Sequence, residues 1–268
     1  MRKIIVCSLV IVATFAAIAS AEIVGALNIS NANEENAEYY KTSLMSIVVD
    51  KDYKIEGSIV TFYDSLMLMQ MALSKGEIDC ITTPECVGEY MLRTNPNYKL
   101  RGLMINKIPT LLAFGFLEEK KDLRDRFNKA IEDMEREGTI VILTRDFISG
   151  PGAMNPYAVE FEHFDGAETI NIAVTGEQPP LDYVSSDGKP AGFNTAILAE
   201  IGKRLRVNIN IVIVETGSRV MALNSGRADV VFWFQVFPNN LAQLDIPAGV
   251  ITSTPYYAWN KAMLIGRK

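Results

Sequence analysis

The sequence predicts an α/β fold of two similarly built lobes, because one nine-residue pattern occurs twice in matched surroundings. The first copy is MALSKGEID at 71–79, and the second is MALNSGRAD at 221–229. Each copy follows a β-branched segment and a polar turn, and each leads into an apolar run, IDCITT or ADVVFWF. Gly76 and Gly226 are placed to end the two helices, and the apolar runs are typical of buried parallel strands. Each unit is therefore predicted to be strand, helix and strand with a right-handed crossover.

The turns before the two copies contain candidate helix N-caps. Asp64 or Ser65 precedes the first helix, and Thr216 or Ser218 precedes the second. Short polar side chains at this position accept hydrogen bonds from N–H groups of the first turn. The pattern ALxxGxxD alone marks many helix-to-strand corners, so the matched turns and strands are what favour two lobes of similar design.

A break in periodicity separates the two lobes. Residues 138–146 are predicted to end a helix, and SGPGAMNP at 149–156 places two glycines and two prolines close together. FEHFDGAE follows without helical or strand periodicity. We therefore predict a linker over 149–167.

Residues 1–21 are predicted to be a cleaved signal peptide. Arg2 and Lys3 precede an apolar run, and Ala19-Ser20-Ala21 is a cleavage pattern of small residues. A short membrane anchor is the alternative, but the run is below the roughly 20 residues that a transmembrane helix needs. Cleavage and export predict a periplasmic location.

The composition argues against several classes of partner. The chain has 26 Lys and Arg residues against 32 Asp and Glu, a net charge of −6, and no long basic run after the signal. Such a chain is a poor partner for nucleic acid and for anionic lipid. The single histidine, His163, has no second ligand near it in the sequence, so we expect no metal site and no cofactor.

Two cysteines follow the predicted signal. Export permits a disulfide between Cys80 and Cys86. However, Cys80 is predicted in a strand and Cys86 at the start of a helix, and that geometry can hold the Cα atoms beyond bridging distance. A disulfide and two separately buried thiols both stay open at the level of sequence.

The second half of the chain carries several motifs in a fixed order. They are the pair Pro179-Pro180, the run DGKPAGF at 187–193, the helix AILAEIGKRL, the ALxxGxxD corner and TPYY at 254–257. Together they resemble the opening lobe of the family 3 extracytoplasmic solute-binding proteins, which serve amino-acid ABC transporters.

The first half is similar to the later part of the same family. ALSKGEIDCITTPECVGEYML resembles the helix, strand and helix of its second lobe, and LAFGFLEEKKDLRDRFNKAIEDMEREGTIVILTRDFI resembles its closing segment. The resemblance implies a two-lobed α/β fold of the periplasmic-binding-protein type (type II), with the lobes in circularly permuted chain order. A fusion of two unrelated fragments is the alternative, but no family element is doubled or missing.

The permutation implies a division of the chain. The expected parts are the signal peptide (1–21), a lobe 2-like α/β domain (22–117), helices that pack on the C-terminal lobe (118–148), the linker (149–167) and a lobe 1-like α/β domain (168–268). The chain is then expected to pass between the lobes near 108–117, and again where the cleavage point meets the far C-terminus.

Ligand-binding residues are expected in loops beyond the carboxyl ends of the strands, where two facing lobes form a cleft. From the C-terminal half the candidates are Glu177, Asp182, Tyr183, Thr216, Ser218, Arg219, Trp233, Phe234 and Gln235. From the N-terminal half they are Asn28, Ser30, Tyr63, Asp64, Ser65, Thr82, Thr83 and Glu85.

Arg219 is the leading candidate for a ligand anchor. A guanidinium binds a carboxylate through two parallel hydrogen bonds, and some acidic-amino-acid binders of the family use a Ser/Thr-x-x-Arg that Thr216 and Arg219 match. The alternative is a surface arginine at a helix start. Trp233 and Phe234 either stack on a ligand or fill the interlobe core. Glu85 either accepts from a ligand ammonium or stabilises the first turn of its helix.

Three departures from the family concern the ligand. VFPNNLAQL contains no arginine where the family places its usual carboxylate-binding one. The lobe-two aspartate that meets a ligand ammonium aligns near Pro84, beside Glu85, and Leu181 stands where an aromatic residue often stacks. The expected ligand is therefore a small polar solute, either an amino acid or a related carboxylate.

The resemblance implies capture of this solute in the interlobe cleft and delivery to the membrane permease of an ABC transporter, without covalent chemistry. One alternative is a sensory or scaffold binding protein with an altered cleft. Another is a dehydratase or lyase on the same scaffold, with Glu85, Glu177 or Asp182 as general acid or base.

Overall fold

The first half of the chain forms a parallel unit of strands and helices. The computed structural model describes residues 22–27, 59–150, 153, 157–236 and 246–268, with 104, 106–108 and 233–236 described by backbone only. The predicted signal peptide lies outside the described residues. The first elements are β1 (Ile23–Leu27), β2 (Ile59–Tyr63), α1 (Leu66–Lys75), β3 (Cys80–Pro84) and α2 (Glu85–Thr94). β1 lies between β2 and β3 and is parallel to both, as the apolar run IDCITT predicts.

Helix α1 begins and ends where the sequence predicts. Ser65 is its N-cap, and the Ser65 hydroxyl accepts a hydrogen bond from the Leu68 N–H at 3.2 Å. Gly76 follows the helix with φ of +80°, a left-handed conformation that glycine adopts without a Cβ clash. Met69 and Leu73 are completely buried beneath the helix. The carboxyl end of β2 and the N-terminus of α1 therefore meet at Ser65.

A long strand and two helices link the halves. β4 (Tyr98–Leu117) has 20 residues, and α3 (Lys121–Arg136) and α4 (Thr139–Thr144) follow it. The ring of Phe127 on α3 packs edge-on against Phe114 and Phe116 of β4, with centroids 5.4 and 5.2 Å apart. These three buried rings fix α3 to the face of β4.

The second half repeats the design of parallel strands and crossing helices. Its elements are β5 (Thr169–Val174), β6 (Glu177–Gln178), β7 (Asp182–Val184), β8 (Pro190–Ala191), α5 (Phe193–Leu205), β9 (Asn208–Ile213), α6 (Arg219–Asn224) and β10 (Val230–Val236). β5 lies between β9 and β10 and is parallel to both. The short strands β6, β7 and β8 form a separate antiparallel sheet after β5. Both α3 and α4 pack against α5.

One sheet joins the two halves through its central strands. β11 (Val250–Thr252) pairs with β4, as does β12 (Tyr257–Arg267). Within the described residues this sheet has nine strands, and its main path is β2–β1–β3–β12–β4–β10–β5–β9. The molecule is therefore an α/β protein in which each half contributes one side of a common sheet.

The strand β12 carries the chain from the second half into the first. Its start, Tyr257–Trp259, pairs with residues 110–112, and its end, Lys261–Arg267, pairs with residues 98–105. The register shifts between Trp259 and Lys261, at the border of the two halves. The antiparallel pairing of β12 with β4 continues on both sides of this border.

The apolar core also spans both halves. Its main cluster includes Leu73 from α1, Phe114 from β4, Ile172 from β5 and Ile197 from α5. The two described cysteines, Cys80 in β3 and Cys86 in α2, are buried and not bonded to each other. Of the two arrangements that the sequence left open, the structure has separate thiols.

The chain between α4 and β5 is irregular where it is described. A short π-helical turn at Arg145–Ser149 follows α4, and residues 157–168 contain a turn but neither helix nor strand. His163 is exposed there and lies 3.3 Å from Asp165. Across the described parts of the chain, no helix has both the length and the apolar character to cross a membrane.

Candidate functional site

Polar side chains from the two halves meet beyond the ends of β2 and β5. Glu177 follows β5 and accepts hydrogen bonds from the Ser65 hydroxyl and from the Leu66 N–H at the start of α1. The loop after β9 lies beside the same place, since a Cβ on Gly217 would come 3.8 Å from Oδ1 of Asp64. The predicted residues Asp64, Ser65 and Glu177 are thus brought together at one place, the Glu177 junction.

The Glu177 carboxylate lies at the positive end of α1. Burial raises the pKa of Glu177, and the negative charge of Glu215 adds to this rise. The hydrogen bonds from Ser65 and Leu66 act in the opposite direction, because they stabilise the charged form. First-turn N–H groups of a helix have no partner within the helix and attract anions. Glu177 therefore occupies a position where an anionic group of a ligand could otherwise bind.

Asp182 is a buried acid in the second half. The residue is 1% exposed, and its Oδ2 accepts from the Thr175 hydroxyl at 2.8 Å and from the Gly176 N–H at 2.7 Å. Burial raises the pKa of Asp182 to about 6, although these hydrogen bonds and the charge of Arg219 counteract the rise. Its Oδ1 has no hydrogen-bond partner among the described residues. The carboxyl group is thus able to change its charge in the mildly acidic range.

Arg219 lies inside the fold at the start of α6. Its side chain is 1% exposed, and its Nε donates to the Thr216 carbonyl at 3.0 Å. Thr216 is also buried, and Ser218 directly precedes the helix. The interpretation of Arg219 as a surface arginine is therefore wrong, because the charge of Asp182 allows a guanidinium to be buried here. Its role as a ligand anchor stays a prediction.

A further polar cluster lies at the start of α2. Oε1 of Glu85 accepts from the Lys261 ammonium at 3.1 Å, and both side chains are partly exposed. Cys86 and Tyr257 share a hydrogen bond, and burial raises the pKa of the Cys86 thiol to about 12. The chain itself therefore supplies an ammonium to Glu85, the residue predicted to accept one from a ligand.

The remaining predicted residues are more scattered. Tyr63 ends β2, while Thr82 and Thr83 lie in β3, where the Thr83 hydroxyl donates to the Pro84 carbonyl at 3.0 Å. Tyr183 lies on β7. Burial raises the pKa of Tyr183, and the nearby phenol of Tyr90 on α2 adds to this rise. Tyr183 of the second half therefore lies near Tyr90 of the first half.

Some predicted residues cannot be placed. Asn28 and Ser30 lie outside the described residues. Trp233, Phe234 and Gln235 lie in β10, where the structure describes the backbone but not these side chains.

The sequence interpretation missed residues that act across the two halves. Lys261 meets Glu85 over a separation of 176 positions, and no local pattern marks such a pair. The register of β12 against β3, which sets Ala262 opposite Pro84, could have indicated it once the strands were aligned. Among the described residues, no group of three or more His, Cys, Asp or Glu side chains is placed to hold a metal ion.

Comparison with solved structures finds remote similarities. The ligand-binding component of an ABC-type import system from Staphylococcus aureus, with zinc bound, is 13% identical at a TM-score of 0.45, with 92% of this chain and 66% of that chain covered. The periplasmic aliphatic sulphonate binding protein SsuA from Escherichia coli is 11% identical at 0.42, covering 92% and 65%. Full-length CbnR with its target DNA is 9% identical at 0.39, covering 92% and 64%. This chain thus spans less than two thirds of each of these proteins, and such TM-scores do not identify a function.

Comparison of the sequence with protein families gives a more specific similarity, for the second half of the chain. Among the curated proteins, no protein matches this chain. A family model matches residues 170–267, which run from β5 through β12 and make up less than half of the chain. The second half is therefore similar in sequence to the bacterial extracellular solute-binding proteins, family 3.

Proposed function

We propose that the protein is a periplasmic solute-binding protein that holds a small polar solute between its two halves and presents it to the permease of an ABC transporter. The observation that carries this proposal is the Glu177 junction, where polar loops of both halves meet. Ligands of α/β proteins bind beyond the carboxyl ends of strands, and β2, β5 and β9 all end near this junction. The family match of the second half supports the same function.

An amino acid or a related carboxylate is the proposed ligand. Arg219 supplies a guanidinium at the start of α6, with Thr216 one turn before it. A guanidinium at such a place binds a carboxylate with two hydrogen bonds. Glu177 of β6 and Tyr183 of β7 offer a carboxylate and a phenol for the ligand ammonium. Binding and release need no bond to be made or broken, so the proposal includes no enzymatic step.

We further propose that the halves follow one another in permuted order, with a lobe 2-like domain at 22–117 and a lobe 1-like domain at 168–268. The family match lies at the end of the chain, which supports this order. The packing of α3 and α4 on α5 supports the assignment of residues 118–148 to the C-terminal lobe. A cleaved signal peptide at 1–21 and a periplasmic location complete the proposal.

Two internal contacts favour a second candidate, a sensory or scaffold binding protein. Glu177 already lies at the N-terminus of α1, and Lys261 already lies at Glu85. A charged solute must replace such internal pairs, which reduces its net binding energy. A protein of this kind would retain the two-lobed shape and bind transport solutes weakly.

A thermal-shift screen of the purified protein separates these candidates. We expect stabilisation by at least one compound among the amino acids, dicarboxylates and small peptides, because a ligand that binds only the folded state raises its melting temperature. No shift with any compound would contradict the transport function and favour the second candidate. Turnover of a stabilising compound would instead point to an enzyme.

Replacement of Arg219 by Lys tests the anchor. Lysine keeps a positive charge beside Asp182 but loses the planar fork, so we expect the affinity for a carboxylate ligand to fall about tenfold or more. Arg227→Lys is the matched control, since Arg227 is exposed in the turn that follows α6. Equal affinities of both variants, measured by calorimetric titration, would remove Arg219 from the site.

A further inference from the structure

A pocket lies between α1 and α2, next to the Glu177 junction. Its volume is about 410 Å³, within the range of small-molecule sites. One wall is α1 and the other is α2 with the start of β4, while the loop after β5 closes one side. The lining residues are Leu66, Met67, Gln70, Tyr90, Met91, Thr94, Asn95, Tyr98, Glu177 and Pro179.

The charge of the pocket lining is negative. Glu177 is the one charged residue among the described residues that line it. The nearby charge of Glu215 makes the surroundings of Glu177 more negative, and none of the lining residues that the structure describes is basic. A carboxylate has about four acceptor positions, so the contacts with Ser65 and Leu66 leave Glu177 able to accept from a ligand.

An anion is a poor occupant of this pocket. The group that would attract an anion is the N-terminus of α1, and Glu177 already lies there. A second anion would be repelled by Glu177 and Glu215. A hard metal ion is also unsuited, because one carboxylate is far short of the six or more oxygen ligands that such ions take.

The rest of the lining suits an apolar body that carries a positive charge. Met67, Met91 and Pro179 supply apolar surface, and Tyr90 and Tyr98 supply aromatic rings. Tyr98 is 8% exposed, and its hydroxyl is held by the side chains of Ser74 and Asn95. Aromatic rings attract ammonium groups, and thioethers adapt to irregular apolar shapes.

We propose that this pocket is a second binding site that takes a small organic amine, with its ammonium at Glu177 and its apolar body between α1 and α2. The proposed amine site shares Glu177 with the proposed solute site but does not involve Arg219. Its ligand touches the outer surfaces of α1 and α2, whereas the proposed solute is anchored at α6. Because α1 belongs to the first half and Glu177 to the second, the bound amine contacts both halves.

Three probes of matched size test the charge requirement by calorimetric titration at neutral pH. They are 2-phenylethylamine, its neutral analogue 2-phenylethanol and the anion 3-phenylpropanoate. We expect the amine to bind at least about tenfold more tightly than the other two, a difference that corresponds to about 1.4 kcal/mol. Equal binding of the alcohol, or no amine binding below about 10 mM, would overturn the proposal.

Two variants place the amine in this pocket. Glu177→Gln keeps the size of the side chain and removes its charge, and we expect amine affinity to fall about tenfold or more. Glu160→Gln, an exposed residue outside the lining, is the control and is expected to leave amine affinity unchanged. An equal loss in both variants would contradict a specific site.

The Gln70→Trp variant distinguishes amine binding in this pocket from solute binding in the interlobe cleft. Gln70 is partly exposed on α1 and lines the pocket, so a larger side chain can fill the space without entering the core. We expect amine binding to be lost while any solute found in the thermal-shift screen still binds. Retention of amine binding would overturn the pocket proposal, whereas loss of the solute alone would argue against the cleft assignment.

Discussion

At the scale of single residues, the second half is marked by two opposite charges that are both removed from water. Asp182 and Arg219 are each 1% exposed. A buried pair of charges adds little net stability, but the loss of one partner leaves the other without compensation. Asp182 also reduces the free-energy cost of burying its own charge. Burial raises its pKa to about 6, which allows the carboxyl group to become neutral.

Asp182 is expected to make stability depend on pH. Its pKa is about 6 in the folded protein, above the ordinary value of 3.8 that applies when the chain is unfolded. Between these values the folded state binds more protons, so the free energy of unfolding falls as pH rises from about 4 to about 6. The contribution of Asp182 is at most about 3 kcal/mol. Urea unfolding of the protein and of Asp182→Asn across pH 4 to 8 measures this difference.

The difference between the two proteins isolates the titration of Asp182. We expect the stability of the unmodified protein relative to Asp182→Asn to decrease through this pH range and then stay level. A constant difference for Asp182→Asn at every pH would contradict a raised pKa.

Individual site residues were predictable when they followed strands. Ser65 and Glu177 were both candidates because each lies in a loop after a β-branched segment, and the structure joins them by a hydrogen bond. Lys261 was not a candidate, since its contact with Glu85 depends on the pairing of β12 with β3. The burial of Arg219 was also unpredictable, because its compensating charge comes from Asp182 on strand β7.

At the scale of elements, glycines determine where two helices of the site can begin or end. Gly76 ends α1 in a left-handed conformation, as the repeated pattern predicts. Gly192 precedes α5 with φ of +103° and ψ of −179°, a combination that is essentially confined to glycine. The first turn of α5 is joined there to the loop at Pro180, whose carbonyl accepts from the Phe193 N–H at 3.0 Å.

Gly192→Ala is expected to destabilise the protein by about 2 kcal/mol or more. The backbone conformation is strained for any residue with a Cβ, and that Cβ would lie 2.7 Å from the carbonyl oxygens of Pro180 and Leu181. Because both neighbours are backbone atoms, the clash cannot be relieved by a side-chain rotation. Urea unfolding at neutral pH measures the change.

Gly217→Ala is the matched control for this prediction. Gly217 lies in the loop before α6, and an added Cβ would make only an ordinary contact with Asp64 at 3.8 Å. We expect its free energy of unfolding to stay within about 0.5 kcal/mol of the unmodified protein. Similar losses in both variants would show that Gly192 has no special conformational role.

At the scale of the whole molecule, β4 and β12 make one sheet out of two halves. The repeated pattern predicted two α/β units, and each unit is present with its parallel strands. The pattern could not show that the units share a sheet, because the contacts of β4 with both halves depend on long-range pairing. The apolar character of β4 fits either half, so local sequence does not determine its register.

The proposed permuted order predicts that the chain can be reopened at another point. Val24 of β1 and Gly266 of β12 both pair with Cys80, so the two ends of the described chain lie one strand apart, roughly 10 Å. A linker of about six residues spans that distance. The new chain would begin at Tyr157, continue through Lys268 and the linker to Glu22, and end at residue 156. We expect it to fold with nearly the original melting temperature, because residues 157–168, where the new chain begins, contain neither helix nor strand.

Circular dichroism and thermal unfolding of this variant, together with its binding of any solute from the screen, test the architecture. A second variant opened within α5, between Glu200 and Ile201, is the control, since it interrupts a helix whose residues are buried in the main core. We expect the control to lose most of its stability. If both variants lose most of their stability, the connector at 149–167 is required for folding. It then does more than join two surface ends of a permuted fold.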